Sequence, residues 1–410
     1  MGTIPRSGDA TLGLLAAGIL LAGAVLWSAR GPHVEKTDFS LTYVAAKIVQ
    51  SGMGDRLYDL SFQKQVRDSI FLKPNPLFFE HPPFEALLLS PLARLPFRTA
   101  YMVWGFTNVA VLLLLIVLLR KHLPWPREDL GYISLWLLFA PLGVALYQGQ
   151  SSILVVLSYA TSFLLLRTGK DFGGGLSLGF GLLKFQFALP FALILLVQKR
   201  WRFLAGFTST SAFLAVLSLI AVGRNGLISY VRLLRTINQN PQDLSYGSAV
   251  DMPTIHGFLY TVLANDISRS ALEIGAAGLS LMVLLFVAIR SKRDTKVDTV
   301  ESTYAAGIAA SLLAGSHMFT HDFSPLLPSM FLLGSFLQQK QHPRDRSSLR
   351  LAAVLALAVL WTPPIYFVLV ASHRLYLMCP VLLVFVFSAT LIANCAKAQP
   401  DVEVQAVTAG

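Results

Sequence analysis

The sequence predicts an all-α polytopic membrane protein, on three observations. Of its 410 residues, 54% are hydrophobic and only 13% are charged, with a mean hydropathy of +0.61; soluble domains carry about 25% charged residues. Apolar runs close to the ~20 residues that a spanning helix needs recur along the chain. The basic residues gather in short loops between those runs, as the positive-inside rule expects. A membrane barrel would need short alternating strands instead. The net charge of +11 therefore reads as membrane orientation, and a nucleic-acid partner is excluded on the same distribution.

Taken in order, the first apolar run, Thr11 to Ala29, is long for a signal peptide and lacks a small-x-small cleavage site, so it reads as a retained span. An outer loop over 31–98 follows. Within it, Thr37 caps a predicted helix that starts at Asp38. Phe39, Tyr43, Ala46 and Val49 recur at spacings of three and four, as one helical face would, and Gly52 and Gly54 end it. This predicts a short amphipathic helix at the membrane surface with a carboxylate at its start. The run 79–96 is apolar but short and Pro-rich, and it predicts a segment that dips into the interface.

Spans are then predicted near 99–119, 130–147 and 151–166. The stretch 172–197 has basic residues at both ends: Arg167 and Lys170 before it, Lys199, Arg200 and Arg202 after it. Two short helices hinged near Lys184 to Gln186 keep both clusters on one side, and the glycines at 173, 174, 175, 179 and 181 suit tight packing there. A span near 203–222 leads to a second outer loop, 224–270, with another short interfacial helix. Spans near 271–289, 302–316, 323–338, 351–370 and 375–393 complete the chain. The expectation is one integral membrane domain over 1–397, with roughly twelve crossings of ~20 residues or fewer, followed by a polar cytoplasmic tail, 398–410. Cys379 and Cys395 form no metal or disulfide pattern and read as small core residues.

This topology puts the basic loops on one side and the distinctive polar residues on the other: Asp38, His81, Gln148, Gln150, Lys184, Asp251, His256, His317, His321 and Asp322. Charges at membrane depth cost about 2.5–3.5 kcal/mol each, so they usually face a cavity or a partner. A shared outer cavity explains the set economically. Each residue also has a plain structural use. Asp38 suits the positive end of a helix dipole, and Lys184 could snorkel to the interface. Gln148 and Gln150 suit a solvated turn. His81, Asp251 and His256 suit wet loops. His317, His321 and Asp322 have a metal-like composition, but an i, i+4 histidine pair is a weak zinc signal without a further ligand.

The runs DFSLTYVAAKIVQSGMGDRLYD and FEHPPFEALLLSPLARLPFRTAYMVW, then YQGQSSILVVLSYATSFLLLRTGKDFGGGLSLGFGLLKFQFALPFALILLVQKRWR and SHMFTHDFSPLLP, together resemble glycosyltransferase family 87. That family belongs to the GT-C class of membrane enzymes and includes polyprenyl-phosphate-mannose-dependent mannosyltransferases and arabinofuranosyltransferases. The chain departs from the family pattern at His81, where an aromatic often precedes the double proline, and at Thr42, where a Tyr pair is usual.

The resemblance implies a GT-C-like bundle in the bacterial plasma membrane with its active site on the extracytoplasmic side. It implies an inverting sugar transfer, mannose foremost, from a polyprenyl-phosphate donor to a glycolipid or glycan hydroxyl. Asp38 matches the position of the general base. Lys184, His321, His317, Gln148, Gln150 and His81 are the candidates for holding donor phosphate or sugar. Tyr43, Phe39, Phe84, Asp322, Asp251 and His256 are candidates for acceptor or lipid contacts. No metal or other cofactor is expected, because a lipid monophosphate lacks the diphosphate that metals bridge. A transporter or flippase for a lipid-linked substrate is the alternative, but matching broken halves are not evident. A non-catalytic assembly subunit would leave the shared polar set unexplained.

Overall fold

Helices account for all the regular structure among the described residues, which in the computed structural model are 7–72, 74–123, 125–239, 249–292, 296–338 and 347–395. The predicted tail, 398–410, and the side chain of Cys395 lie outside them; Cys379 is buried as expected. Six helices are long and apolar enough to cross a bilayer. The number rises to eight if Asp129–Leu138 with Ala140–Gln148, bent by 54°, and Ser347–Trp361 with Pro363–Ala371, bent by 68°, each count as one. That is fewer than the roughly twelve expected, because several apolar segments, such as Ser152–Arg167 and Leu327–Gln338, are short.

The first helix, Ser7–Arg30, packs on Phe97–Arg120 and Asp129–Leu138. Val25 and Ala29 are buried, whereas Leu12, Ile19, Leu20 and Trp27 are exposed and offer a lipid-facing side. Such contacts gain little from apolar burial inside lipid and depend on close packing of small residues. Gly105 is an instance, since a Cβ there would stand 2.6 Å from Val25 Cγ1.

Residues 171–197 are long enough to span as one helix, which would separate their ends by about 40 Å. The ends instead meet: Arg200 Nη1 lies 3.5 Å from Asp171 Oδ1. The chain runs in along Asp171–Gly179, tightens into a 3₁₀ turn over Phe180–Lys184, and returns along Phe185–Val197. The predicted hairpin at Lys184 is therefore present. Glycines then seat the incoming arm against the next helix, Trp201–Gln239: a Cβ on Gly175 would lie 1.9 Å from Phe203 O, and one on Gly206 2.0 Å from Phe172 O, so these two backbones are in contact.

The two ends of the bundle differ in character. At one, Arg167 pairs with Glu301 at 3.0 Å, and Gln198 Nε2 donates to Thr303 Oγ1 at 2.9 Å. At the other end lie Gln150, Lys184 and Asp322. Ser152–Arg167, both arms of the 171–197 hairpin and Lys296–Leu313 each run from one end to the other.

Three further sequence expectations need correction. The helix Asp38–Gln50 is no surface helix: Phe39, Ser40, Thr42, Tyr43, Val44, Ala45, Ala46 and Ile48 are all buried. It is wedged against Pro83–Leu89 and Leu60–Ile70, so its polar positions meet protein as well as its apolar ones. Nor does the Thr37 hydroxyl cap it. That hydroxyl donates backwards to Val34 O at 2.6 Å. The outer loop after 224 is also helical at first. Gly223, at φ 64° and ψ −179°, redirects the chain, and helix continues to Gln239. The redirected part packs through Tyr230 and Leu233 on the apolar cluster around the Asp38–Gln50 helix, and Gly54 lets the chain come close just before the bend, since a Cβ there would stand 1.9 Å from Ala221 O.

Candidate active site

Asp38 is the first residue of its helix, where backbone N–H groups lack intrahelical acceptors. Gln148 supplies one from 110 residues away: Asp38 N–H donates to Gln148 Oε1 at 3.0 Å. The turn that carries Gln148 is closed by Gly149 at φ 65°, in the left-handed region. Only glycine fits there, because a Cβ would stand 2.7 Å from Phe39 Cβ. Trp104 Nε1 donates to Gly149 O at 2.8 Å, and the Tyr101 hydroxyl to Tyr147 O at 2.7 Å, which fixes the turn.

Gln150 then joins three elements. Its Nε2 donates to Asp38 Oδ2 at 2.6 Å, and its Oε1 accepts from Lys184 Nζ at 3.1 Å. Lys184 also pairs with Asp322 Oδ1 at 3.2 Å. Asp322 accepts from the Phe319 N–H at 3.0 Å, and the same Oδ1 lies 3.4 Å from His321 Nε2 and 3.5 Å from the Ser152 hydroxyl. Burial opposes ionisation of Asp322, but His321, Lys184 and the Phe319 N–H outweigh it and hold the carboxyl down at about 2. Burial, reinforced by Lys184, pushes His321 below the usual histidine range against the pull of Asp322.

These groups line one cavity of about 180 Å³. Asp38, Gln150, Lys184, His321, Asp322, His81 and His317 all face it, together with Leu41, Phe78 and Ile237. Among the described residues Asp38 Oδ1 has no hydrogen-bond partner, so one carboxylate oxygen is held and the other is free. Lys184 has three N–H donors, two of them occupied.

Six sequence candidates do not line the cavity. Gln148 holds the Asp38 backbone from behind. Phe39 packs edge-on to Tyr101, and the Tyr43 hydroxyl donates to Leu95 O at 2.7 Å. Phe84 is buried in the main core. Asp251 lies 3.3 Å from His373, and the His256 ring packs on Tyr260. Among the described residues no three His, Cys, Asp or Glu side chains are grouped to hold a metal ion, which leaves His317, His321 and Asp322 without the further ligand a zinc site needs.

Sequence reasoning missed Glu85 and Ser152, and passed over Glu80, which lines the cavity 3.7 Å from His317. Glu85 is 2% exposed and bonded to His81. Its only signal was the spacing of four residues in HPPFE, which becomes a contact because the double proline starts a helix there.

Fold and site define a polytopic helical membrane protein with a carboxylate, an amide and an ammonium in series on the wall of a polar cavity. The chain belongs to glycosyltransferase family 87, whose model matches residues 78–316, more than half its length. With the family comes the reaction class, glycosyl transfer. No curated protein and no solved structure matches the chain. The matched stretch contains His81, Gln150 and Lys184; Asp38, His321 and Asp322 lie outside it and join them only in three dimensions.

Proposed function

We propose that the protein transfers a sugar, mannose foremost, from a polyprenyl-phosphate donor to a hydroxyl of a glycolipid or glycan acceptor, with inversion, on the extracytoplasmic face of the cell membrane. The observation that carries this reading is the Asp38–Gln150–Lys184 series on the cavity wall. Asp38 Oδ1 takes the proton of the acceptor hydroxyl. The hydroxyl oxygen attacks the anomeric carbon, and the bond from that carbon to the phosphate oxygen breaks. The electron pair leaves with the lipid phosphate. The third N–H of Lys184 meets the developing phosphate charge, while Asp322 keeps the ammonium in place. A monophosphate leaving group needs no bridging metal in this scheme.

The same reading takes the bundle as twelve passes, in line with the short segments that run from one end to the other, and takes the site end as the outer one, because Arg167, Arg200 and Lys199 gather at the opposite end. The test is transfer of labelled mannose from polyprenyl-phosphate mannose to membrane lipids by the purified protein. Wild-type transfer with loss of about 10²–10⁴-fold in Asp38→Asn supports both class and base. Full activity in that variant removes Asp38 from the role. No transfer across a panel of lipid-phosphate sugars points to a transporter.

A further inference from the structure

His81 stands where its family often carries an aromatic, and the structure gives it a partner that the proposed chemistry has not used. The ring lines the cavity. Its Nδ1 lies 2.8 Å from Oε2 of Glu85, one helical turn on. The Glu85 side chain is 2% exposed, so it faces protein and not the cavity. The segment is fixed independently of this pair: the Tyr58 hydroxyl donates to His81 O at 2.7 Å, and Gln63 braces Phe79 through both backbone groups. Among the described residues the ring makes no other hydrogen bond, so Nε2 is left for whatever enters.

We propose that Glu85 is a positioning residue, which holds the His81 ring by Nδ1 so that Nε2–H donates a hydrogen bond to the phosphate of the lipid-linked substrate, alongside Lys184. This rests on the donor class proposed above. A carboxylate accepting from Nδ1–H favours the imidazolium, in which both ring nitrogens carry protons and the far one donates; in the neutral ring the same contact would leave Nε2 an acceptor. The groups around the ring are Glu85 and Glu80 from its own segment, Lys184, His321, and the Tyr58 and Tyr230 hydroxyls. Burial works against the imidazolium, and so does Lys184, but Glu85 prevails and raises His81 above the usual histidine range. A charge-assisted bond to phosphate therefore persists to higher pH than an isolated histidine would allow.

The experiment measures binding of polyprenyl monophosphate, the product common to every donor sugar, to the detergent-solubilised full chain as a function of pH. Wild type, Glu85→Gln and His81→Gln are compared, so the titration of the probe itself cancels between variants. We expect His81→Gln to weaken binding about ten-fold at neutral pH and to lose one step of the pH profile. In Glu85→Gln that step moves to lower pH, while binding below the step equals wild type. Thermal unfolding shows whether each variant is folded. Should Glu85→Gln fail to fold, the cavity-facing His81→Gln carries the test alone. Wild-type binding with identical affinity and pH profile in the folded variants overturns the inference and leaves the proposed function standing. No binding by wild type at any pH overturns both.

Discussion

Gln150 Nε2 lies 2.6 Å from Asp38 Oδ2, across 112 residues of sequence. The same amide accepts from Lys184 on its other side. An amide in this position cannot turn over without setting donor against donor. It therefore fixes which carboxylate oxygen is held and which is free, and it keeps the ammonium of Lys184 off the carboxylate proposed as the base.

Replacing Gln150 by Leu removes both bonds while keeping volume. Bonds to charged groups contribute about 1.5–3 kcal/mol each, so we expect kcat to fall by about ten- to hundred-fold with a smaller change in donor KM. Steady-state transfer kinetics check this. An unchanged kcat would mean that the amide does not orient the base.

Lys184 and Asp322 are 6% and 1% exposed. Removing one partner of such a pair strands a buried charge, at about 3–5 kcal/mol. Lys184→Met and Asp322→Asn are each expected to lower Tm markedly. The double variant should recover much of the Tm but no activity, because the proposed phosphate contact is gone. Thermal unfolding beside the transfer assay separates the two effects.

Asp322 gives stability a pH dependence with a defined sign. Burial resists its ionisation, but His321 and Lys184 win, and its carboxyl is held at about 2 against an ordinary 3.8. A depressed carboxyl favours the folded state fully above 3.8 and loses that contribution as pH falls toward about 2. Tm of the wild type should drop across this window, and Asp322→Asn should show a flatter curve. Parallel curves would mean that the pair does not couple to folding.

The hairpin at Lys184 predicts a labelling pattern. In a background without Cys379 and Cys395, single cysteines at Lys170 and Lys199, both exposed, should react from the same side of the membrane. That side should be opposite to a cysteine at the exposed Ser61. Reaction of 170 and 199 from opposite sides would unfold the hairpin into one span.

Composition and the placement of basic residues sufficed for the helical membrane class, because lipid leaves few ways to satisfy a backbone and the charge bias is local to each loop. The hairpin was legible for the same reason: glycines and flanking charges are short-range signals. Asp38, Gln150 and Lys184 were recognisable one by one as polar residues in apolar surroundings. Their connection was not, since it joins a helix start, a turn and a 3₁₀ segment far apart in the chain. Asp38–Gln50 was misread as a surface helix because periodicity reports an apolar face and is silent about what covers the other one. Glu85 was overlooked because a carboxylate near a histidine signifies little until burial makes the contact obligatory. Which polar groups share the cavity, which oxygen of Asp38 is free and which candidates turn away were decided by tertiary packing alone, because distances of 3 Å between residues a hundred positions apart have no counterpart in local sequence.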